Sequence, residues 1–295
     1  MYSHRYSPHR YSQPQLFACL VLKTFFKVDY RGLVAILREH SELRCILDLK
    51  EVPHFTTLQK ASKRLLRVPC AQRLFTNTVQ RFLKRRRRLK RVALDSTGLE
   101  CGHHSLYYVR RRNGTLKRWQ TVGYSRYAKL EVATDCTSHL LLAVLVGRGP
   151  RVDVDRFVPL LDATLAQVRL DAALADAGYD SEPNHLYARQ KCGVRSFIPA
   201  TAGRPTTKPP TGRYRRLMKS RLDKNYGKYG QRWQVETSIS MLKRRLATTV
   251  NGRSYWSQCR ELLLLSITYN LMLLYAAAGF LQSRMRTVSA QSFRN

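Results

Sequence analysis

The stretch Val92-Ala93-Leu94-Asp95-Ser96-Thr97 decides the fold: an apolar run, preceded by basic residues and followed by polar ones, reads as a short buried strand ending on a carboxylate. A second stretch ends the same way. Leu170 to Ala175 is small and apolar and stops at Asp176, within Ala175-Asp176-Ala177-Gly178-Tyr179-Asp180. Ser181 can then cap a helix over Glu182 to Lys191, which Gly193 ends. Between the two stretches, Tyr127 to Ala133 and His139 to Val146 form hairpin strands about the polar turn Asp135-Cys136-Thr137-Ser138, where Asp135 reads as structural. Asp153 to Val168 is an amphipathic helix, and Val194 to Ile198 is a last short strand. Three strands, a helix, a strand, a helix, a strand and then helices predict an α/β fold with one mixed sheet flanked by helices. Strands that end in acids at one sheet edge deliver those acids to the crevice where such sheets bind ligands. Asp180 competes for the second position, but it precedes the Ser181 cap, where an acid also stabilises a helix N-terminus. Placement at the strand end favours Asp176.

A third stretch, Tyr229 to Lys243 (YGQRWQVETSISMLK), brings another acid. On one helix, at about 100° per residue, Tyr229, Arg232, Glu236 and Lys243 fall within an arc of roughly 60°. Val235, Ile239, Leu242 and Leu246 form the adjacent apolar arc, which would pack on the sheet. Taken alone, the polar stripe describes a salt-bridged helix surface. Beside two strand-end aspartates, Glu236 can complete an acidic cluster. Three carboxylates brought together repel one another unless divalent cations neutralise them, and oxygen-only donors select hard ions such as Mg²⁺ or Mn²⁺. Two such ions about 4 Å apart can activate a hydroxyl on one side of a phosphodiester and stabilise the leaving oxygen on the other.

The charge balance supplies the partner class. With 53 Lys+Arg against 19 Asp+Glu, the formal charge is +34, spread along most of the chain. Such a surface binds polyanions by releasing condensed counterions, and DNA, RNA and an anionic membrane all satisfy that argument. The densest run, Lys84 to Arg91 (KRRRRLKR), reads as a solvated linker or as a DNA-backbone contact through Arg85, Arg86, Arg87 and Arg88. Residues 1–15 read as a flexible basic tail. From Leu16 to Pro69 the pattern is helical, with short helices near Arg31 to His40 and Glu42 to Leu49 and a break at Pro53. Thr56 and Gln59 offer a capping box for a helix carrying Lys60, Lys63, Arg64 and Arg67. This is the layout of a helix-turn-helix DNA reader, and also of a plain helical cap.

Other readings bound the class. Residues 200–228 read as a flexible basic loop. Leu262 to Leu281 is long enough to span a bilayer, but Ser266, Thr268, Tyr269 and Asn270 near its middle favour a buried core helix. Trp233 reads as core packing, although Tyr226, Tyr229 and Trp233 could also stack on unpaired bases. His103 and His104, adjacent on an extended chain, point to opposite faces and share no metal. Seven cysteines without a Cys-x-x-Cys pair fit reduced thiols in a cytosol-like compartment, and the N-terminus lacks a signal-peptide pattern. The expected division is a tail (1–15), a helical DNA-binding region (16–83), a basic linker (84–91), a catalytic domain (92–281) and a C-terminal tail (282–295).

Asp95 in ALDSTG, Asp176 in ADAGYD and Tyr229-x2-Arg232-x3-Glu236-x6-Lys243 together resemble the DDE transposases of bacterial insertion sequences, in the branch with the Tyr-Arg-Glu-Lys signature. The similarity runs from about Tyr30 to Leu274. The resemblance implies an RNase H-like catalytic domain that binds terminal inverted repeats, cleaves DNA with Mg²⁺ (Mn²⁺ substituting) and transfers the 3′-hydroxyl ends to target DNA. It implies that Asp95, Asp176 and Glu236 hold two metal ions, and that Tyr229, Arg232 and Lys243 contact DNA near the scissile phosphate. The partners it implies are double-stranded DNA and a second copy of the chain when ends are paired, with neither a membrane nor a small-molecule cofactor, in a bacterial cytoplasm at the nucleoid. Only 59 residues separate Asp176 from Glu236, which leaves no room for the large β-strand insertion of some relatives. An RNase H-like nuclease without strand transfer and an inactive DNA-binding regulator are the competing functions.

Overall fold

The computed structural model describes residues 10–83, 88–101, 127–200, 209–222 and 226–292. The chain opens on five helices: α1 (Gln13–Phe25), α2 (Tyr30–Glu39), α3 (Ser41–Ile46), α4 (Phe55–Leu65) and α5 (Val68–Leu83). The first begins inside the segment read as tail, because Ser12 and Gln15 form a reciprocal capping box across its first turn. At α4 the cap expected at Thr56 is displaced. His54 is the N-cap, its ring nitrogen 2.8 Å from the Thr56 hydroxyl, so the helix starts one residue before Thr56. Leu16, Cys19, Leu33, Leu37, Leu58 and Ala61 give these helices a small core of their own. By contrast Phe75, Val79 and Leu83 of α5 belong to the large core beneath the sheet.

The strands follow: β1 (Arg88–Leu89), β2 (Val92–Cys101), β3 (Ala128–Asp135), β4 (Leu141–Arg148), β5 (Arg169–Leu170), β6 (Ala172–Ala175), β7 (Arg195–Phe197) and β8 (Thr249–Val250), of which β1 and β5 pair only with each other and the rest form one sheet. The strand order is β4-β3-β2-β6-β7, with β2, β3 and β4 antiparallel and β6 and β7 added parallel to β2. An antiparallel three-strand meander extended by parallel strands through crossover helices is the mixed sheet flanked by helices that the sequence predicts. Residues of β2, β3 and β6 are buried because helices cover the sheet. Asp135 is buried in the β3–β4 turn, where it accepts from Thr137 N–H, Ser138 N–H and the Ser138 hydroxyl, the structural part expected of it.

The crossovers are α6 (Phe157–Leu165) and α7 (Glu182–Leu186), the latter capped by Ser181 as the sequence predicts and continued by one π-helical turn to Lys191. Gly193 sits at φ +68°, the left-handed geometry that stops the helix. Part of the basic segment read as a loop is instead a helix, α8 (Arg213–Arg221). The single helix expected over 229–243 is interrupted: α9 (Tyr226–Tyr229) passes through a 3₁₀ turn at Gly230–Arg232 into α10 (Trp233–Arg245). Val235 and Leu242 of α10 are buried, as the apolar arc requires, whereas Trp233 is 55% exposed and not in the core.

The last helix, α11 (Tyr255–Ser292), is by length and composition apolar enough to cross a membrane. Its middle is a core element: Leu262 to Asn270 is buried, and the Asn270 carboxamide accepts from Leu141 N–H (3.1 Å) and donates to the Leu141 carbonyl (2.9 Å). Those bonds satisfy β4 where its own pairing begins. None of the seven cysteines forms a disulfide.

Candidate active site

β2 does not end at Asp95. It continues to Cys101, paired with β3 from Val92 to Leu99 and with β8 at Glu100 and Cys101. What ends near Asp95 is the parallel ladder: the last β2–β6 pair is Leu94 with Ala175, so Asp95 and Asp176 are the next residues on neighbouring strands. The two carboxylates therefore leave the sheet side by side where the strands separate. Asp176 is exposed, and Asp95 is half-buried with 22% of its side chain exposed. Glu236 comes from α10, which packs across β2 and β3.

Arg232 ties these groups together. Its guanidinium donates to Glu236 Oε1 at 2.5 Å and lies 4.0 Å from Asp95 Oδ2. Burial pushes the Asp95 carboxyl up to about 6, the Ser96 N–H bond (2.7 Å) and Arg232 oppose that shift, and repulsion from Asp176 and Glu236 adds to it. The Tyr229 phenol, 3.5 Å from the Ala175 carbonyl, stands beside Asp176 and is likewise raised, chiefly by burial. A cavity of about 430 Å³ is lined by Asp95, Ser96, Thr97, Glu236, Lys243 and Arg244. The structure thus gathers Asp95, Glu236 and Lys243 at one opening, with Arg232 against Asp95 and Glu236, while Asp176 and Tyr229 stand at the end of β6.

The donor chemistry suits a hard divalent cation: oxygen donors only, with Asp95 raised chiefly by burial and further by the acids near it. As placed, however, no three His, Cys, Asp or Glu side chains among the described residues are close enough to share one ion. The Arg232 guanidinium supplies the positive charge between Asp95 and Glu236.

The remaining sequence-predicted contacts lie elsewhere. Lys60 and Lys63 are exposed on α4, but Arg64 turns inward and donates to Gln13 Oε1 (3.2 Å), so it braces α1. Arg88 is exposed and paired with Asp171. Arg85, Arg86 and Arg87, together with His103 and His104, lie outside the described residues, as does the side chain of Tyr226. Asp180 is engaged by Arg215 in a two-pronged pair at 2.7–3.0 Å, with 2% of its side chain exposed, whereas Asp176 is exposed.

Two residues of the site were not singled out from the sequence. Tyr179 is fully buried against Phe157, its hydroxyl without a hydrogen-bond partner among the described residues, and its phenol is raised by burial and by Asp153, Asp95, Glu131 and Asp176. The Gly-Tyr-Asp tripeptide after Asp176 was the available signal. Arg244 lines the opening beside Lys243, and its carbonyl accepts from Lys27, just after α1 (2.7 Å). Only the fold brings α1 to that position.

The profile of the transposase DDE domain matches residues 86–271. No curated protein matches. Among solved structures, a Mos1 mariner paired-end complex with Mn aligns over 83% of this chain and 80% of that one, at 13% identity and a TM-score of 0.22. A pre-cleavage Mos1 transpososome aligns over 88% and 80%, at 12% identity and a TM-score of 0.21. Scores this low are no common superposition, and the fold assignment stands on the strand order.

Proposed function

The chain belongs to the transposase DDE domain family, and from that premise we propose that it binds the terminal inverted repeats of its own insertion sequence, cuts DNA there and transfers the 3′-hydroxyl ends to a target duplex. The observation that carries this reading is the meeting of Asp95 and Asp176 on adjacent parallel strands, with Glu236 facing Asp95 across Arg232, in a chain of formal charge +34. Asp95, Asp176 and Glu236 would hold Mg²⁺, or Mn²⁺ in its place, as a pair of ions. Bound there, divalent ions supply an activated hydroxyl and neutralise the leaving oxygen.

The chain's own residues do the rest. Asp95 is held in one orientation by the Ser96 N–H, so its free oxygen faces the opening. Arg232, Lys243 and Arg244 present cations to the phosphates flanking the scissile bond. Tyr229, braced on the end of β6, can stack on a base displaced during cleavage. Lys60 and Lys63 on α4, and Arg85, Arg86, Arg87 and Arg88 ahead of β2, serve the DNA backbone in a region (16–91) that leads into the catalytic domain (92–281). Joining two ends calls for at least two copies of the chain.

The test is reconstitution. Full-length protein, Mg²⁺ and duplexes carrying the inverted repeats that flank its coding region should yield cleaved ends and joined plasmid products. Hydrolysis of any duplex alike, without joined products, would instead identify a nuclease. Binding without cleavage would identify a regulator.

A further inference from the structure

α8 is fastened at its N-terminus by two acids from the segment that follows Asp176. Glu182 accepts from the Tyr214 and Arg215 N–H groups, 3.0 Å each, a carboxylate cap from another element. Asp180 holds the Arg215 guanidinium inward. Because these two acids fix the helix, its other cations face out: Arg213, Arg216 and Lys219 are exposed.

Between α8 and the π-helical turn after α7 lies a groove of about 780 Å³, lined by Arg189, Arg213, Tyr214, Arg216 and Lys219 and, among the described residues, by no acid. Arg189 is half-buried at one wall, its guanidinium donating to the Ser196 hydroxyl (2.9 Å) and carbonyl (2.5 Å). Among the described residues no carboxylate forms an ion pair with it. The guanidiniums of Arg189 and Arg213 both lie over the Tyr214 ring, 5.1 and 5.7 Å from its centroid. A surface cation is ordinarily just solvated. Here one cation is partly desolvated and fixed by Ser196 and a second is drawn to the same ring, so two like charges stand close together in a groove, an arrangement that favours the entry of an anion.

The groove lies apart from the cations of the candidate active site. Lys243 and Arg244 sit on α10, over β2 and β3, and also line a separate cleft of about 600 Å³ with Lys23 of α1 and Lys27 just after it. That cleft joins the acidic opening to the N-terminal helices, so it suits the element's own end. α8 packs on α7, whose π-helical continuation packs on β7, the strand at the opposite end of the sheet order from β3 and β4.

We infer that the α8 groove binds the phosphodiester backbone of the target duplex that receives the transferred end. The inference rests on the transposase reading, and its test separates the two.

Full-length Arg213→Ala/Arg216→Ala/Lys219→Ala, with Tyr214 and Arg215 intact, is compared with wild type in three assays. Cleavage of element-end DNA should stay within about twofold of wild type, while joining of a pre-cut end to plasmid falls at least tenfold. Binding to a random duplex without metal should lose about 2 to 3 from its log–log salt slope, the share of three phosphate contacts. The charge-preserving Arg213→Lys/Arg216→Lys variant should join normally. Should the alanine variant fail to fold, Lys219→Glu carries the same comparison. Joining unchanged with an unchanged salt slope overturns the inference, as does equal loss of cleavage and joining in a folded variant, which would assign the groove to the element end. If wild type neither cuts nor joins, the transposase reading fails, and the salt slope still decides whether the groove binds duplex backbone.

Discussion

Asp95 and Asp176 are the first residues beyond the last β2–β6 ladder pair, Leu94 with Ala175, so the spacing of the two carboxylates is set by the spacing of two parallel strands. Ala175 is fully buried at that pair. Ala175→Leu would force the strands apart at that level. The expected result is a loss of about 2 kcal/mol in chemical denaturation, typical of overpacking a core, together with at least a hundredfold loss of Mg²⁺-dependent cleavage at a temperature where the variant is folded. Cleavage that falls only in proportion to the unfolded fraction would show that the spacing is immaterial.

Arg232 occupies the gap between Asp95 and Glu236 and competes for the same carboxylates as any bound cation. Arg232→Gln should therefore tighten Mn²⁺ binding several-fold by calorimetry while slowing cleavage, since the phosphate loses its guanidinium. Weaker Mn²⁺ binding would mean that Arg232 helps to build the metal site.

Gly212 sits at φ +100°, ψ 148°, a backbone region open almost only to glycine, and a methyl group there would stand 2.3 Å from Glu182 Oε2. Gly212→Ala should cost about 2 kcal/mol through strain and the disturbed cap. Limited proteolysis should then cut between residues 209 and 222. An unchanged digestion pattern would contradict the docking of α8 by Glu182.

His185 is fully buried, its Nδ1 2.7 Å from the Ser196 hydroxyl, and burial, helped by Arg189 and Arg215, lowers its pKa from 6.5 to about 4. The unfolded chain thus binds the extra proton between those values. Stability contributed by the neutral imidazole is complete above pH 6.5 and is lost as pH falls towards 4, about 2 kcal/mol of it by pH 5. His185→Gln should remove that share of the acid sensitivity in denaturation series at pH 7.5 and pH 5. Parallel losses in both proteins would show that another group is responsible.

The strands were legible because their apolar runs are short and bounded by turn residues, and the three acids because acids are scarce in this chain. The end of β2 was not legible: Ser96 to Cys101 is polar enough to read as loop and is a strand only because β3 and β8 pair with it. Nor was α8, whose anchors Asp180 and Glu182 lie more than thirty residues upstream. Thr56 had the sequence of an N-cap, yet His54 takes that place, one turn choice among near equals. The polar stripe survived the break at Gly230 because Arg232 and Glu236 still meet across one helical turn.

The most direct test is the Mg²⁺-dependent, single-turnover rate of 3′-end cleavage in Asp95→Asn, Asp176→Asn and Glu236→Gln, measured beside Asp180→Asn on the same inverted-repeat substrate. Loss of at least a thousandfold in each of the first three, with end binding retained and with Asp180→Asn still cleaving in its folded fraction, is the expected result. Cleavage near the wild-type rate by any of the first three would contradict a metal site built on Asp95, Asp176 and Glu236.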